Sequence, residues 1–289
     1  MLVDSHAHLD FPTSPRSAGL RGTSVDDLES ALVRAKQAGV GKIITVGTTI
    51  NESKKAIEIA ENSLDKNLQI YASVGIHPKD GKEDVENLGI DGAIDRLRAV
   101  VKSSGKIVAI GECGLDYYDE QETRNNRPET TDKEKEFQRD LFEAQIRLAC
   151  DLDLPLIIHC RNGWDEIFDL ISNFQFQISN FKLRGVFHSW TGDWNAAKRA
   201  FGLDFYISFS GIVTFKNAPD IQEVAKKTPL ERILIETDSP YLAPEPFRGK
   251  TNEPKNVRIT AQFLAKIRGL PFAKIAKATT VNAERLFGI

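Results

Sequence analysis

Two imidazoles two residues apart close a short apolar segment, Val3-Asp4-Ser5-His6-Ala7-His8-Leu9-Asp10. Side chains alternate along a strand, so His6 and His8 can point the same way and converge as neutral nitrogen ligands of one metal ion. Taken alone, the pair reads equally well as a strand end carrying two surface histidines. The chain has five histidines, and the other three occupy comparable places: His77 in Gly75-Ile76-His77-Pro78, His159 in Ile157-Ile158-His159-Cys160 and His188 in Val186-Phe187-His188-Ser189. Each stands at or just past the end of an apolar run. Histidines kept only for packing would not fall this way.

Two carboxylates share that placement. Glu112 closes a run in Ile110-Gly111-Glu112-Cys113-Gly114-Leu115-Asp116, between glycines that allow close backbone approach, and Asp238 does so in Ile235-Glu236-Thr237-Asp238-Ser239-Pro240. A helix N-cap is the competing role for Asp238, and an ion pair with an arginine the competing role for Glu112. Taken together, the histidines and carboxylates exceed what one ion can use. Two divalent cations about 3.5–4 Å apart, bridged by a carboxylate and by water, would engage them. His6, His8 and Asp238 are then expected on the first ion, His159 and His188 on the second, and Glu112 between them. Such a nitrogen and oxygen set suits Zn, Mn, Co, Ni or Fe, and Mg less naturally.

Eight apolar, β-branched-rich runs deliver these residues: Leu2 to Ser5, Lys42 to Val46, Gln69 to Val74, Ile107 to Ile110, Leu156 to Ile158, Leu183 to Phe187, Phe205 to Phe209 and Ile233 to Ile235. They are continuous rather than alternating, as expected of parallel strands covered on both faces. Helical patterns lie between them, over Ser24 to Ala38, Asn51 to Asn62, Gly92 to Lys102, Thr131 to Leu152, Trp164 to Phe174, Trp194 to Phe201, Ala218 to Lys227 and Lys255 to Ile267. A last helix, Pro271 to Phe287, is expected to pack on the outside. This alternation predicts an α/β fold, a single-domain (β/α)8 TIM barrel spanning residues 1–289, with the chemistry at the C-terminal ends of the strands. Two polar loops, 11–23 and 119–132, stand out and are expected at that face.

Size and composition are compatible with this. By length alone, the 289 residues suit one barrel of about 250 with added loops as well as they suit two domains. At 41% hydrophobic, 27% charged and a formal charge of −3, the surface as a whole does not attract nucleic acid. A phosphate-bearing substrate would need cations or a few basic residues at one mouth. The three cysteines, Cys113, Cys150 and Cys160, form no disulfide framework, and no leader or membrane-spanning run is evident. A cytoplasmic, non-membrane protein is expected, with a monomer favoured.

A family resemblance then becomes visible. His6-x-His8-Leu9-Asp10, Gly75-Ile76-His77-Pro78, Gly111-Glu112-x-Gly114-Leu115-Asp116-Tyr117, Ile158-His159-Cys160-Arg161, Phe187-His188-Ser189-Trp190-Thr191-Gly192, Glu236-Thr237-Asp238-Ser239-Pro240 and Asn252-Glu253-Pro254 resemble, in order, the motifs of the TatD-type metal-dependent deoxyribonucleases. The resemblance runs from the N-terminus to the Asn282-Ala283-Glu284-Arg285-Leu286-Phe287 tail. It implies an amidohydrolase-like barrel, a pair of divalent metals, and DNase activity, as a 3′–5′ exonuclease. It also implies that His6, His8, Glu112, His159, His188 and Asp238 are the metal ligands and that His77 lies near the metals and meets substrate. One departure is basic: where the family carries Gly-Lys-Arg before Asn-Glu-Pro, this chain has Arg248-Gly249-Lys250-Thr251.

The mechanism expected is attack by a metal-activated hydroxide, with Asp238 orienting the nucleophile and taking its proton and the metals polarising the phosphoryl group. Arg161 is expected to clamp a phosphate, aided by His77 and by Arg248 or Lys250. Trp190 could stack on a base, but packing is its favoured role, while Cys113 and Cys160 are expected to be buried fillers. Two other functions compete: cleavage of another ester or amide, such as a D-aminoacyl-tRNA ester, on the same metals, and a noncatalytic nucleic-acid or protein-binding barrel.

Overall fold

The computed structural model describes residues 1–10, 28–63, 65–118, 130–177 and 182–289, so most of loops 11–23 and 119–132 lies outside the described residues. Eight strands are present: β1 (Leu2–Ala7), β2 (Val40–Val46), β3 (Gln69–Val74), β4 (Ile107–Asp116), β5 (Leu156–Arg161), β6 (Gly185–Phe187), β7 (Tyr206–Phe209) and β8 (Ile233–Ile235). Each pairs in parallel with the next, in the order β1 to β8. The ring closes just beyond β8, where Ala7 bridges to Ser239, Asp238 N donates to His6 O at 2.9 Å and His8 N donates to Ser239 O at 2.8 Å. The expected (β/α)8 barrel is therefore the architecture found.

The helices are α1 (Leu28–Gln37), α2 (Ile50–Asn62), α3 (Lys82–Val101), α4 (Asp132–Leu152), α5 (Trp164–Gln177), α6 (Trp194–Gly202), α7 (Pro219–Lys227), α8 (Val257–Arg268) and α9 (Phe272–Phe287). Two differ from the sequence reading. The helix expected from Gly92 begins ten residues earlier, at Lys82, because the segment bends through Gly89 (φ 70°) and resumes instead of ending there. The last helix does not simply lie on the outside. Its final turn, with Ala283, Leu286 and Phe287, joins the apolar cluster inside the barrel, formed by Val3, Ile44, Val46, Val108, Ile157, Val186, Tyr206 and Leu234. Without that turn the lower end of the interior would face water. Buried Asn282 pins it, donating through Nδ2 to Leu230 O at 2.8 Å and Ile233 O at 2.9 Å.

Helix α4 matters most for the site. It opens with a capping box in which Thr131 and Glu134 satisfy each other's backbone N–H groups, at 3.3 and 3.0 Å. Two buried glutamines, two turns apart on its inner face, then read out the strand ends. Gln145 accepts from Ile76 N at 2.8 Å and donates to Ile76 O at 2.9 Å. Gln138 does the same for Asp116, at 2.8 and 3.0 Å. The segments carrying His77 and Asp116 are thus fixed to one helix by paired hydrogen bonds. Among the described residues, no helix is long and apolar enough to cross a membrane.

Candidate metal centre

The strands reach the site through two irregularities. Parallel register slips between Asp4 and Ala7 on β1, and between Ile110 and Cys113 on β4, the stretches carrying His6 and Glu112. Such bulges re-aim one side chain without moving the strand. On β4 the turn depends on Gly111, whose φ of 135° excludes most side chains, and a Cβ there would collide with the carbonyl of Ile157. Contrary to expectation, Glu112 does not end its strand; it projects from within a ten-residue β4. β5 likewise continues past His159 to Arg161.

All six expected ligands meet. His6 Nε2 and His8 Nε2 are 3.3 Å apart, and Asp238 Oδ1 lies 3.7 and 3.6 Å from them. Glu112 Oε2 approaches the same two nitrogens at 3.4 and 3.7 Å. Its other oxygen, Oε1, stands 2.9 Å from both His159 Nδ1 and His188 Nε2, which are themselves 3.1 Å apart. One carboxylate thus presents each oxygen to a different histidine pair. His6 and His188 stack at 4.1 Å, tying the halves together.

These separations suit metal ions. Donors held about 2.0–2.1 Å from a tetrahedral ion lie about 3.3 Å from one another. The His6, His8, Asp238 and Glu112 Oε2 atoms fall close to that edge, and the His159, His188 and Glu112 Oε1 set is slightly tighter. The residues fit the expected metals.

Electrostatics follow from the crowding. Burial pushes the Glu112 carboxyl up, but the charge of His188 and hydrogen bonds from His159, His188 and His6 hold it well below the usual range. Asp238 is treated likewise: burial raises it, while His8, His6 and His188 bring it below its ordinary value. His188, though buried, is raised well above 6.5 by Glu112 and Glu236, and His159 is raised by Asp116 and Glu112. His6 moves the other way, lowered by burial and by His188. Beneath the cluster, burial lifts Asp4 to about 8 against hydrogen bonds from Thr237 and His6 N.

A cavity of about 900 Å³ opens over the cluster, bordered by His77, Lys79, Tyr118, Arg161, Trp164 and Tyr241 among others. His77 Nε2 lies 3.7 Å from Glu112 Oε1, while its Nδ1 contacts Asp80 at 2.8 Å. Arg161 is exposed at the mouth, its guanidinium 3.5 Å from the Tyr118 ring centroid. Arg248 and Lys250 do not take the place expected of them. Arg248 lies over Phe215 and donates to Asn217 at 3.1 Å, and neither it nor Lys250 borders the cavity. Trp190 is 1% exposed and packs on Trp164 and Phe187, so it is a core residue. Asp238 caps no helix, since the next helical turn starts at Pro254 and a φ of 57° at Asp238 starts a tight turn closed by Tyr241 N on Asp238 O at 2.9 Å. Cys113 is a buried filler against the helices, and burial raises its thiol and that of Cys160. Cys160 packs in the same layer but also touches the cavity wall.

Sequence reasoning missed the carboxylates behind the histidines. Asp116 Oδ2 lies 3.3 Å from His159 Nε2, and Glu236 Oε1 lies 3.6 Å from His188 Nδ1. Both sit an even number of residues from a ligand, Asp116 from Glu112 and Glu236 from Asp238, and that spacing was the available signal.

An eight-stranded parallel barrel with histidines and carboxylates clustered at the C-terminal ends of its strands defines a metal-dependent hydrolase. The chain belongs to the family described as TatD related DNase, which it matches over residues 3–288. It is 36% identical over 291 aligned positions to the uncharacterized metal-dependent hydrolase YabD of Bacillus subtilis, covering the whole of both chains (100% each). It is 34% identical over 289 positions to the uncharacterized metal-dependent hydrolase YcfH of Escherichia coli, covering 100% of this chain and 96% of that one. Its fold superimposes on the crystal structure of YjjV, a TatD homologue from Escherichia coli, with a TM-score of 0.80 and 30% identity over 100% of this chain and 98% of that one.

Proposed function

We propose that this chain hydrolyses phosphodiester bonds of DNA, releasing nucleotides from 3′ ends, with two divalent cations at the cluster. The observation that carries the reading is the division of Glu112, with Oε2 facing His6 and His8 and Oε1 facing His159 and His188. His6, His8 and Asp238 would hold one cation, His159 and His188 the other, and Glu112 both. Bound there, the cations would supply Lewis-acid polarisation of the scissile phosphate and activation of water near neutral pH.

The remaining work falls to the chain itself. Asp238, held below its ordinary pKa, is ionised at neutral pH and can orient the attacking water and accept its proton. Arg161 offers a planar pair of donors to a phosphate at the mouth, and its stacking on Tyr118 limits the orientations it can take. His77 faces the same space, its ring anchored through Nδ1 by the Asp80 segment. Family membership supports DNA as the substrate.

The test is cleavage of end-labelled single-stranded and double-stranded DNA by metal-replete protein, beside an aminoacyl-tRNA and a simple phosphodiester. DNA should be shortened from its 3′ end, and Glu112→Ala and Asp238→Ala should abolish this while remaining folded. Equal cleavage by those variants, or deacylation without DNA cleavage, overturns the proposal.

A further inference from the structure

We propose that Asp116 is a positioning residue that decides which nitrogen of His159 carries the proton and hence which one faces the cation site, and that its charge rather than its shape does this. The inference rests on the reading that His159 and His188 hold a cation. His159 has a different partner at each nitrogen: Nδ1 faces Glu112 Oε1 at 2.9 Å and His188 Nε2 at 3.1 Å, while Nε2 faces Asp116 Oδ2 at 3.3 Å. An ionised carboxylate can only accept, so it takes the N–H at Nε2 and leaves a lone pair at Nδ1, pointing into the cluster.

Asp116 cannot swing away from this task. Gln138 holds its backbone N–H and carbonyl. Its second oxygen, Oδ1, accepts from Tyr118 N at 2.9 Å and lies 3.3 Å from Lys79 Nζ. Lys79 also donates to the carbonyl of Tyr118, so the ammonium is tied to the same corner.

That arrangement makes two substitutions differ in an unusual direction. In Asp116→Asn, the amide oxygen must occupy the Oδ1 place, because the amide NH2 would otherwise face two donors, Tyr118 N–H and the Lys79 ammonium. The NH2 is then left at the Oδ2 place, donating to His159 Nε2. This favours the opposite tautomer, with N–H at Nδ1 aimed at the cation site. Asp116→Ala removes the carboxylate without imposing that inversion, since water can accept from Nε2. The near-isosteric change should therefore be worse than the truncation. The contrast is Glu236 behind His188, where a single oxygen, Oε1, receives Ser189 N at 2.5 Å and faces His188 Nδ1 at 3.6 Å. Glu236→Gln can keep its carbonyl oxygen there, so no inversion follows.

The experiment titrates each metal-stripped protein with Zn²⁺ and with Co²⁺, reading bound metal per chain by elemental analysis and the Co²⁺ visible absorption, with thermal melts to confirm folding. The expected loss of affinity for one of the two cations is on the order of 10–100-fold for Asp116→Asn, smaller for Asp116→Ala and least for Glu236→Gln. Asp116→Asn binding as well as the unsubstituted chain, or no worse than Asp116→Ala, overturns the inference. His159→Ala separates the two claims. It should lose one cation outright, and if it keeps both, the ligand reading fails and not the role of Asp116 alone. Should the Asp116 variants not fold, imidazole ¹⁵N shifts of the unsubstituted Zn²⁺-loaded chain decide: a proton on His159 Nε2 is expected, and one on Nδ1 refutes the proposal.

Discussion

Cation uptake by this centre should be coupled to proton release, and unequally between its halves. Burial works against a charged His188, yet Glu112 at 2.9 Å and Glu236 at 3.6 Å keep its pKa well above the ordinary 6.5. His159 is raised as well, through Asp116 and Glu112, whereas His6 is lowered by burial and by His188. Glu112 and Asp238 lie below their usual values and have no proton to give near neutrality. Between pH 6 and 7, a cation entering beside His159 and His188 must therefore displace more protons, up to two, than one entering beside His6, whose pKa is lowered. Each fully displaced proton changes the logarithm of the binding constant by about one per pH unit, ~1.4 kcal/mol, so that half should bind more tightly at pH 7 than at pH 6, by about a hundredfold at most. The dependence should flatten as pH rises through the raised folded values. Stability of the metal-free chain should run the other way: the contribution of histidines raised on folding is fully present below about 6.5 and is lost as pH rises through their folded pKa. Calorimetric titration with Zn²⁺ in buffers of different ionisation heat counts the protons directly. Uptake that is independent of pH over this range refutes the reasoning. Glu112→Gln should reduce the count, because it removes the charge that raises His188.

Two substitutions separate substrate contacts from packing. Arg161→Ala should raise KM for single-stranded DNA about tenfold, the loss of roughly one charged hydrogen bond, with kcat and metal content little changed; a fall in kcat at constant KM would place Arg161 in the chemical step. Trp190→Ala should cost about 3–5 kcal/mol in urea unfolding, because the ring is 1% exposed and wedged against Trp164 at 4.5 Å. The folded fraction should keep its KM, and a raised KM with unchanged stability would restore the base-stacking role.

Much of the centre could be read from residue type and position. His6, His8, His159, His188, Glu112 and Asp238 each follow or close an apolar run, and the parallel barrel brings such ends to one face. The reading failed where a side chain's role depends on what packs against it. Arg248 stands near a motif in the chain, yet Phe215 and Asn217 hold it away from the cavity. Asp116 and Glu236 were overlooked for the converse reason. Their partners, His159 and His188, lie 43 and 48 positions away in the chain, so the even spacing from Glu112 and Asp238 does not show which histidine each one meets. The reach of α3 back to Lys82 went unread because the sequence reading starts that helix at Gly92, whereas the chain is already helical before it bends at Gly89.

What the sequence determined by itself was the periodicity of the elements and the identity of the groups at the strand ends, because hydrophobic run length and residue type are local properties. Only the tertiary structure decided how those groups are aimed. The register slips at His6 and Glu112, the glutamine clasps from α4 and the sharing of Glu112 between two histidine pairs arise from contacts between segments far apart in the chain. A carboxylate can serve two sets of ligands only after the barrel has closed and burial has removed the water that would otherwise solvate each of them separately.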